Sequence, residues 1–261
     1  MSSLTIDPRR YVGRFALSSA SHVGRVSYLV LEMLRGLREW KIWAPRALGL
    51  ANDIGYGSLF IVMLTAAFAG AVTSVQTGYQ FTATIPVYFA AGVIVESIIL
   101  ELGPVLTALI LAGRIGARYA AELGTMRVTE QIDALESLGR SSVSHLIIPR
   151  VVAGTLLVPV LVVFASVVGV GSGWFAAKSS LDISYADFVF GARYFFRPWD
   201  AWYAMIKSFF FGLAITLVPC YMGFTAKQGA EGVGKATTSA VVAASVLILF
   251  LDALLAKLLL E

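Results

Sequence analysis

Five charged side chains fall within stretches apolar enough to lie inside a membrane: Glu96 and Glu101 in one, Lys207 in another, and Asp252 with Lys257 in a third. Charge at membrane depth is costly, so such groups face a protein interior or a wet cavity and pair with one another or with backbone carbonyls. Glu101 is followed by Pro104, which has no N–H to offer the carbonyl of residue 100 and should kink the helix there. Two readings of Glu101 stay open. It is a hinge latch or headgroup contact beside a kink, or it forms a buried ion pair, with Lys207 or another basic group, that only fixes packing. Asp252 and Lys257 stand about 140° apart on a helix, so each needs a partner on another helix unless Lys257 snorkels to a surface.

A second constellation is acidic. From Thr129 to Gly139 the chain reads as a short helix, with Thr129 as N-cap and Gly139 just past the C-terminus. Glu130, Asp133 and Glu136 recur every three residues, and Ile132, Leu135 and Leu138 do so on a roughly opposite face. So short a helix is marginal alone in water and needs a surface to rest on. Either the acidic face is solvated over an apolar face packed on the membrane domain, or it receives a partner.

Catalytic patterns are weak. The sequence lacks GxxxxGK[ST], and the GVGKATT run at 232–238 lacks the first glycine of that spacing and has Ala236 where Ser or Thr belongs. His22 and His145 have no metal-ligand spacing, and no Ser/His/Asp set supports a lipid-modifying enzyme. The single cysteine, Cys220, excludes an intramolecular disulfide. No catalytic residue, metal or cofactor is expected in this chain.

The elements that must position these groups are membrane helices. The chain is 58% apolar and 14% charged, with a mean hydropathy of +0.80, far from an ordinary soluble domain. Val151 to Ala177 contains no ionisable residue, long enough to cross a bilayer. Five spans are expected, near Ile54–Val75, Pro86–Ala112, Leu146–Ala177, Met205–Phe224 and Ala236–Leu260. Ahead of them, Ser21 to Ile42 mixes apolar residues at spacings of three and four with Arg25, Arg35, Arg38 and Lys41, the pattern of an interfacial helix. Trp40 and Trp43 suit a membrane boundary. The opening MSSLTIDPRRYVGRF has no continuous apolar core, so no cleavable signal peptide is expected.

Fifteen Lys and Arg residues lie in the N-terminal, 113–150 and 225–235 segments, against Lys178, Arg193 and Arg197 in the opposite loops. The positive-inside rule then places the N-terminus in the cytoplasm and the C-terminus outside. The aromatic 178–200 segment becomes an outer-side excursion, as interfacial helix or docking surface. Small residues crowd the second span's exit (Ala108, Ala112, Gly113, Gly116, Ala117, Ala120, Ala121, Gly124), with Gly169 and Gly173 in the third span. Their spacing lets helices approach closely, within one chain or across a homodimer seam. Gly78 to Thr82 is expected to form a short outer turn.

Four blocks resemble one family: ELGP at 101–104, AGRIGA at 112–117, AELGTMRVTEQIDAL at 121–135 and GAEGVGKATTSAVV at 229–242. They are similar to the MlaE permeases, membrane subunits of ABC-type lipid transporters that work with MCE-domain proteins. The similarity runs from about Ala44 to the C-terminus. With the interfacial helix read above, this divides the chain into an N-terminal interfacial region, 1–50, and a permease domain, 51–261, for which the resemblance implies a coupling helix within 120–139. It also implies a homodimer in a bacterial inner membrane and two ATPase subunits that bind the ATP and Mg. A hexameric periplasmic MCE protein, and in some systems a STAS-domain protein, completes the assembly; no nucleic acid takes part. The cargo would be phospholipid, moved to maintain outer-membrane lipid asymmetry. By the same resemblance Val72, Val75, Gln76, Tyr79 and Phe81, with Glu101, wall the lipid cavity. Arg127, Glu130, Gln131, Asp133, Ala134, Leu135 and Glu136 couple to the ATPase. Many family members carry arginine just before ELGP, where this chain has Leu100. A fainter similarity, in Asp133-Ala134-Leu135 followed by Gly139 and Pro149, is to the EAA loop of ABC import permeases. A sterol or fatty-acid permease and a non-transporting scaffold remain as alternatives.

Overall fold

A computed structural model describes residues 24–81 and 86–260. Among the described residues the chain is helical throughout, with no strand. We number the helices α1 (24–36), α2 (Trp40–Gln80), α3 (Val87–Val128), α4 (Gln131–Ser137), α5 (Val143–Ser180), α6 (Tyr185–Phe195), α7 (Pro198–Phe224) and α8 (Ala230–Leu260). Five of them, α2, α3, α5, α7 and α8, are long and apolar enough to cross a membrane, as the apolar runs predicted.

The spans overrun their apolar cores. At 41 residues α2 is about 60 Å long, roughly twice the hydrocarbon thickness of a bilayer. Two expectations are corrected by this. The Tyr79–Gln80 segment is the last turn of α2, not an outer turn. Thr82 lies outside the described residues, as do Arg9, Arg10, Arg14 and His22. The expected interfacial helix stops at residue 36, and Trp40 and Trp43 open α2 instead. The stop sits where Gly36 is pressed on α5: a Cβ there would meet Ile148 and Ser144 at 2.6 Å. The Trp43 indole donates to the Leu37 carbonyl at 3.1 Å across the break.

Three π turns interrupt the long helices: Ile98–Leu102 and Ala112–Gly116 in α3, and Val143–Ile147 at the start of α5. Each is a place where i→i+5 bonding replaces the α-helical ladder. The first answers Pro104, which leaves the backbone one donor short.

Small residues let the spans touch. Along the α2–α5 seam, a Cβ on Gly70 would lie 2.0 Å from the Gly169 carbonyl, and Ser74 donates to the Gly173 carbonyl at 2.6 Å. Gly116 and Gly124 of α3 face Pro219 and Val233. These stripes therefore do intrachain packing, whereas Gly113 meets nothing within 4 Å. Helix α6 is capped by Ser184, whose hydroxyl accepts from the Asp187 amide at 3.1 Å. It buries Phe188 and Gly191 and leaves Tyr185, Phe190 and Tyr194 exposed, so the 178–200 excursion contains a helix with one packed edge and an open aromatic face.

Gly70→Ala must push α2 off α5 and is expected to destabilise the protein by about 1–3 kcal/mol. Gly171→Ala, where an added Cβ meets nothing within 4 Å among the described residues, should not lower the thermal unfolding temperature in detergent.

Candidate functional site

The membrane charges converge. Lys207 of α7 is fully buried. Its Nζ lies 2.6 Å from Oε2 of Glu101 on α3 and also pairs with Asp252 of α8. It further donates to the Leu100 carbonyl at 3.1 Å. That carbonyl is the one whose α-helical donor would be the N–H of Pro104, so the proline and the lysine form one arrangement. The Tyr203 ring lies 5.2 Å from the ammonium. Asp252 thus finds its partner on another helix, and the Glu101–Lys207 pair is real. Lys257 is exposed, and Glu96 makes no ion pair among the described residues.

Stability by itself is a weak reason to bury this triad. Burying ions takes them out of water, and well-packed apolar residues often serve stability as well or better. One member is also left open: the Glu101 side chain is 49% exposed, against 0% for Lys207 and 16% for Asp252. The triad is therefore closed on its Lys207 and Asp252 sides and open on its Glu101 side.

The expected cavity wall lies on α2. Val72, Val75, Gln76 and Tyr79 are exposed on α2, with Tyr79 at 93%, and Phe81 is half-buried. Within a single chain they form an open stripe. Thr65 and Ala69 continue the stripe at spacings of three and four. Both line a narrow crevice with Ile98, Leu102 and Gly103, beside the turn that carries Glu101.

The acidic segment is built differently from its sequence reading. The expected 120–139 unit is two pieces, the end of α3 and the separate α4, split by a turn at Thr129 and Glu130. Thr129 does not cap α4. Its hydroxyl donates back to the Thr125 carbonyl at 2.9 Å, closing α3, and Glu130 takes a left-handed conformation with φ 58°. The far end is as read. Gly139, at φ 71°, donates to the Glu136 carbonyl and Arg140 to that of Leu135, the paired bonds of a Schellman motif. Ile132 is fully buried and Leu135 half-buried, but Leu138 is 77% exposed, so the apolar face is shorter than its spacing suggested. Arg127 pairs with Asp133 at 2.5 Å, and Ser142 donates to Glu136 at 2.7 Å. Glu130, Gln131, Asp133, Ala134 and Glu136 all face outward from this anchored turn.

Sequence reasoning missed a further group. Arg114, Arg118 and Glu122, read as a loop beyond the second span, lie on α3, one face of it at i, i+4 spacing. Arg114 donates to Ser58 at 2.8 Å. Arg118 pairs with Glu122 at 2.7 Å and Asp53 at 3.4 Å, and Glu122 also receives the buried Arg150 at 3.1 Å. The spacing of four was the available signal.

Comparison with known proteins agrees with the architecture. The family model described as Permease MlaE matches residues 49–258. A probable ABC transporter permease protein of Rickettsia bellii is 36% identical over 247 residues, covering 95% of each chain. One of Synechocystis is 39% identical over 206 residues, covering 77% of this chain and 76% of the relative. The chloroplastic protein TRIGALACTOSYLDIACYLGLYCEROL 1 of Arabidopsis thaliana is 37% identical over 250 residues, covering 96% of this chain and 69% of the relative. The chain belongs to the MlaE permease family and is a multi-pass membrane permease subunit of ABC-transporter type.

Lys207→Met strands two carboxylates beside each other and should cost about 3–5 kcal/mol in unfolding free energy. Glu101→Gln, at the half-open member, should cost less. Denaturant unfolding of the purified protein in detergent gives both values.

Proposed function

We propose that this MlaE-family chain moves a glycerophospholipid between a bacterial inner membrane and a periplasmic MCE-domain protein, driven by ATP hydrolysed on separate subunits. The observation that carries the reading is the half-open Glu101–Lys207–Asp252 triad, together with an exposed stripe on α2 that runs toward the turn carrying Glu101. A phospholipid needs such a pairing, an apolar wall for its tails and a charge at membrane depth for its head. A relative named for trigalactosyldiacylglycerol, itself a glycerolipid, supports lipid as the cargo class.

One copy leaves the stripe of Val72, Val75, Gln76 and Tyr79 open, so a second copy, related by a two-fold axis, closes the cavity. The N-terminal side faces the cytoplasm, by the excess of Arg and Lys there. Helix α4 then meets the ATPase on that side through Glu130, Asp133 and Glu136, while Ile132 and the Arg127–Asp133 pair seat it on the permease. Two residues separate α4 from α3, so a push on α4 is delivered to α3 directly. The π turns at Ala112–Gly116 and Ile98–Leu102 are where that helix can change its bonding register. Movement of the second turn draws Glu101 off Lys207 and frees the ammonium for a phosphate. The ATP and Mg stay with the ATPase.

Affinity capture from mildly solubilised membranes tests this, with lipid mass spectrometry on the eluate. The wild type should bring down an ATPase and an MCE protein with phospholipid. Glu130→Lys/Asp133→Lys should lower ATPase recovery about tenfold or more, because charge reversal at an interface costs several kcal/mol. A chain recovered with neither partner would overturn the reading. Full ATPase recovery in the double variant would remove coupling from α4.

A further inference from the structure

A cavity of about 420 Å³ lies between the start of α2, the start of α5 and α4. Its walls include Arg46 and Leu50, Leu135 of the acidic helix, and His145, Pro149 and Arg150. We propose that it binds the headgroup of an anionic phospholipid from the leaflet on the α4 side. This site is separate from the Lys207 triad and stands whether or not that triad handles transported lipid.

The cavity is basic. Among the described residues no carboxylate lines the cavity, whereas two guanidiniums and an imidazole do. A narrower cleft continues from it past Leu50 along α2 and is lined by Arg114, Arg118 and Asp53. Across the two, four arginines meet two carboxylates, Asp53 and Glu122. Both carboxylates are taken by Arg118 and Arg150. Arg46 and Arg114 have no ion-pair partner among the described residues, which leaves an excess of two positive charges.

Arg150 is only 7% exposed, donates through its two terminal nitrogens to the Leu146 carbonyl and Glu122, and has no partner for Nε among the described residues. Arg46 spends one nitrogen on the His145 carbonyl at 3.3 Å, and the rest of its fork has no partner among the described residues. A planar guanidinium fork matches a phosphate's oxygens.

Depth identifies the source of the anion. Trp40 and Trp43, ring types that settle at the membrane surface, precede Arg46, and Leu48, 74% exposed, follows it. Arg46 thus lies between the tryptophans and the apolar run that opens near Ile54, on the headgroup side of the hydrocarbon, and Leu50 and Pro149 offer apolar contact to the glycerol end of a lipid. Because Leu135 is shared between this cavity and α4, an occupied site braces the helix that bears the acidic face.

The test uses the full chain with its co-purifying partners in phosphatidylcholine nanodiscs containing phosphatidylglycerol, with retained lipid counted by native mass spectrometry. Selective retention of phosphatidylglycerol is expected. Arg46→Gln should lower it about tenfold, the worth of a charge-assisted hydrogen bond, and Arg46→Lys should restore part. If Arg46→Gln fails to fold, Gly49→Phe serves instead: Gly49 lines the cavity, and a Cβ there meets nothing within 4 Å. Equal retention by wild type and variant, or no preference over phosphatidylcholine, would overturn the proposal. Displacement by inorganic phosphate at matched concentration would assign the site to a free anion. Loss of a co-purifying protein with lipid retention unchanged would make the cavity a protein seat.

Discussion

An ammonium group with no solvent access, held at membrane depth, constrains the helices around it. Lys207 must be matched in charge and in hydrogen bonds, and each partner comes from a different place: Glu101 from α3 and Asp252 from α8. The Leu100 carbonyl adds a third partner, from the turn that Pro104 disturbs. Three spans are therefore fixed to one point. An unmatched lysine there would cost several kcal/mol, a large part of the total stability of an ordinary protein. The π turn at Ile98–Leu102 is part of the same solution, because it presents both the carboxylate and the carbonyl.

Close packing of small residues supplies a rigid frame for that point. Gly70 and Ser74 bring α2 onto Gly169 and Gly173 of α5, and Gly212 brings α7 within reach of the Gly154 carbonyl. Helices that share backbone contacts cannot slide without losing them. Compliance is left to α3, which carries two π turns between the acidic helix and the triad. The arginine ladder of Arg114 and Arg118 ties α3 to α2 on the same flank that opens into the basic cavity.

Much of this was legible in the residues. The long apolar runs gave five spans, because a bilayer demands about 20 apolar residues per crossing and few other folds do. Gly139 was readable as a helix end because only a left-handed residue closes a Schellman motif well. The end of the second span was misread for a physical reason. Arg118 and Glu122 look like solvent-facing loop residues in a linear scan, yet they pair with each other and with Asp53 and Arg150 across helices. Thr129 is a good cap by type, but its hydroxyl had a nearer carbonyl, that of Thr125. Leu138 fits the apolar spacing, but the helix ends before its side chain reaches the core. The Lys207–Asp252 pair needed the fold, since 45 residues of sequence give no register between α7 and α8. The cavity-wall residues came from family resemblance alone; the structure adds that Val72, Val75 and Tyr79 share an exposed stripe.

The central claim is that the triad is kept for exchange with an anionic headgroup and not for stability. The most direct measurement replaces all three charges together, Glu101→Leu/Lys207→Met/Asp252→Leu, and follows both unfolding and lipid movement by the assembled transporter in proteoliposomes. The account predicts a protein at least as stable as the wild type, because apolar residues of similar volume replace buried ions well, with lipid movement lost. Retained lipid movement in a stable triple variant would contradict it and reduce the triad to a packing device.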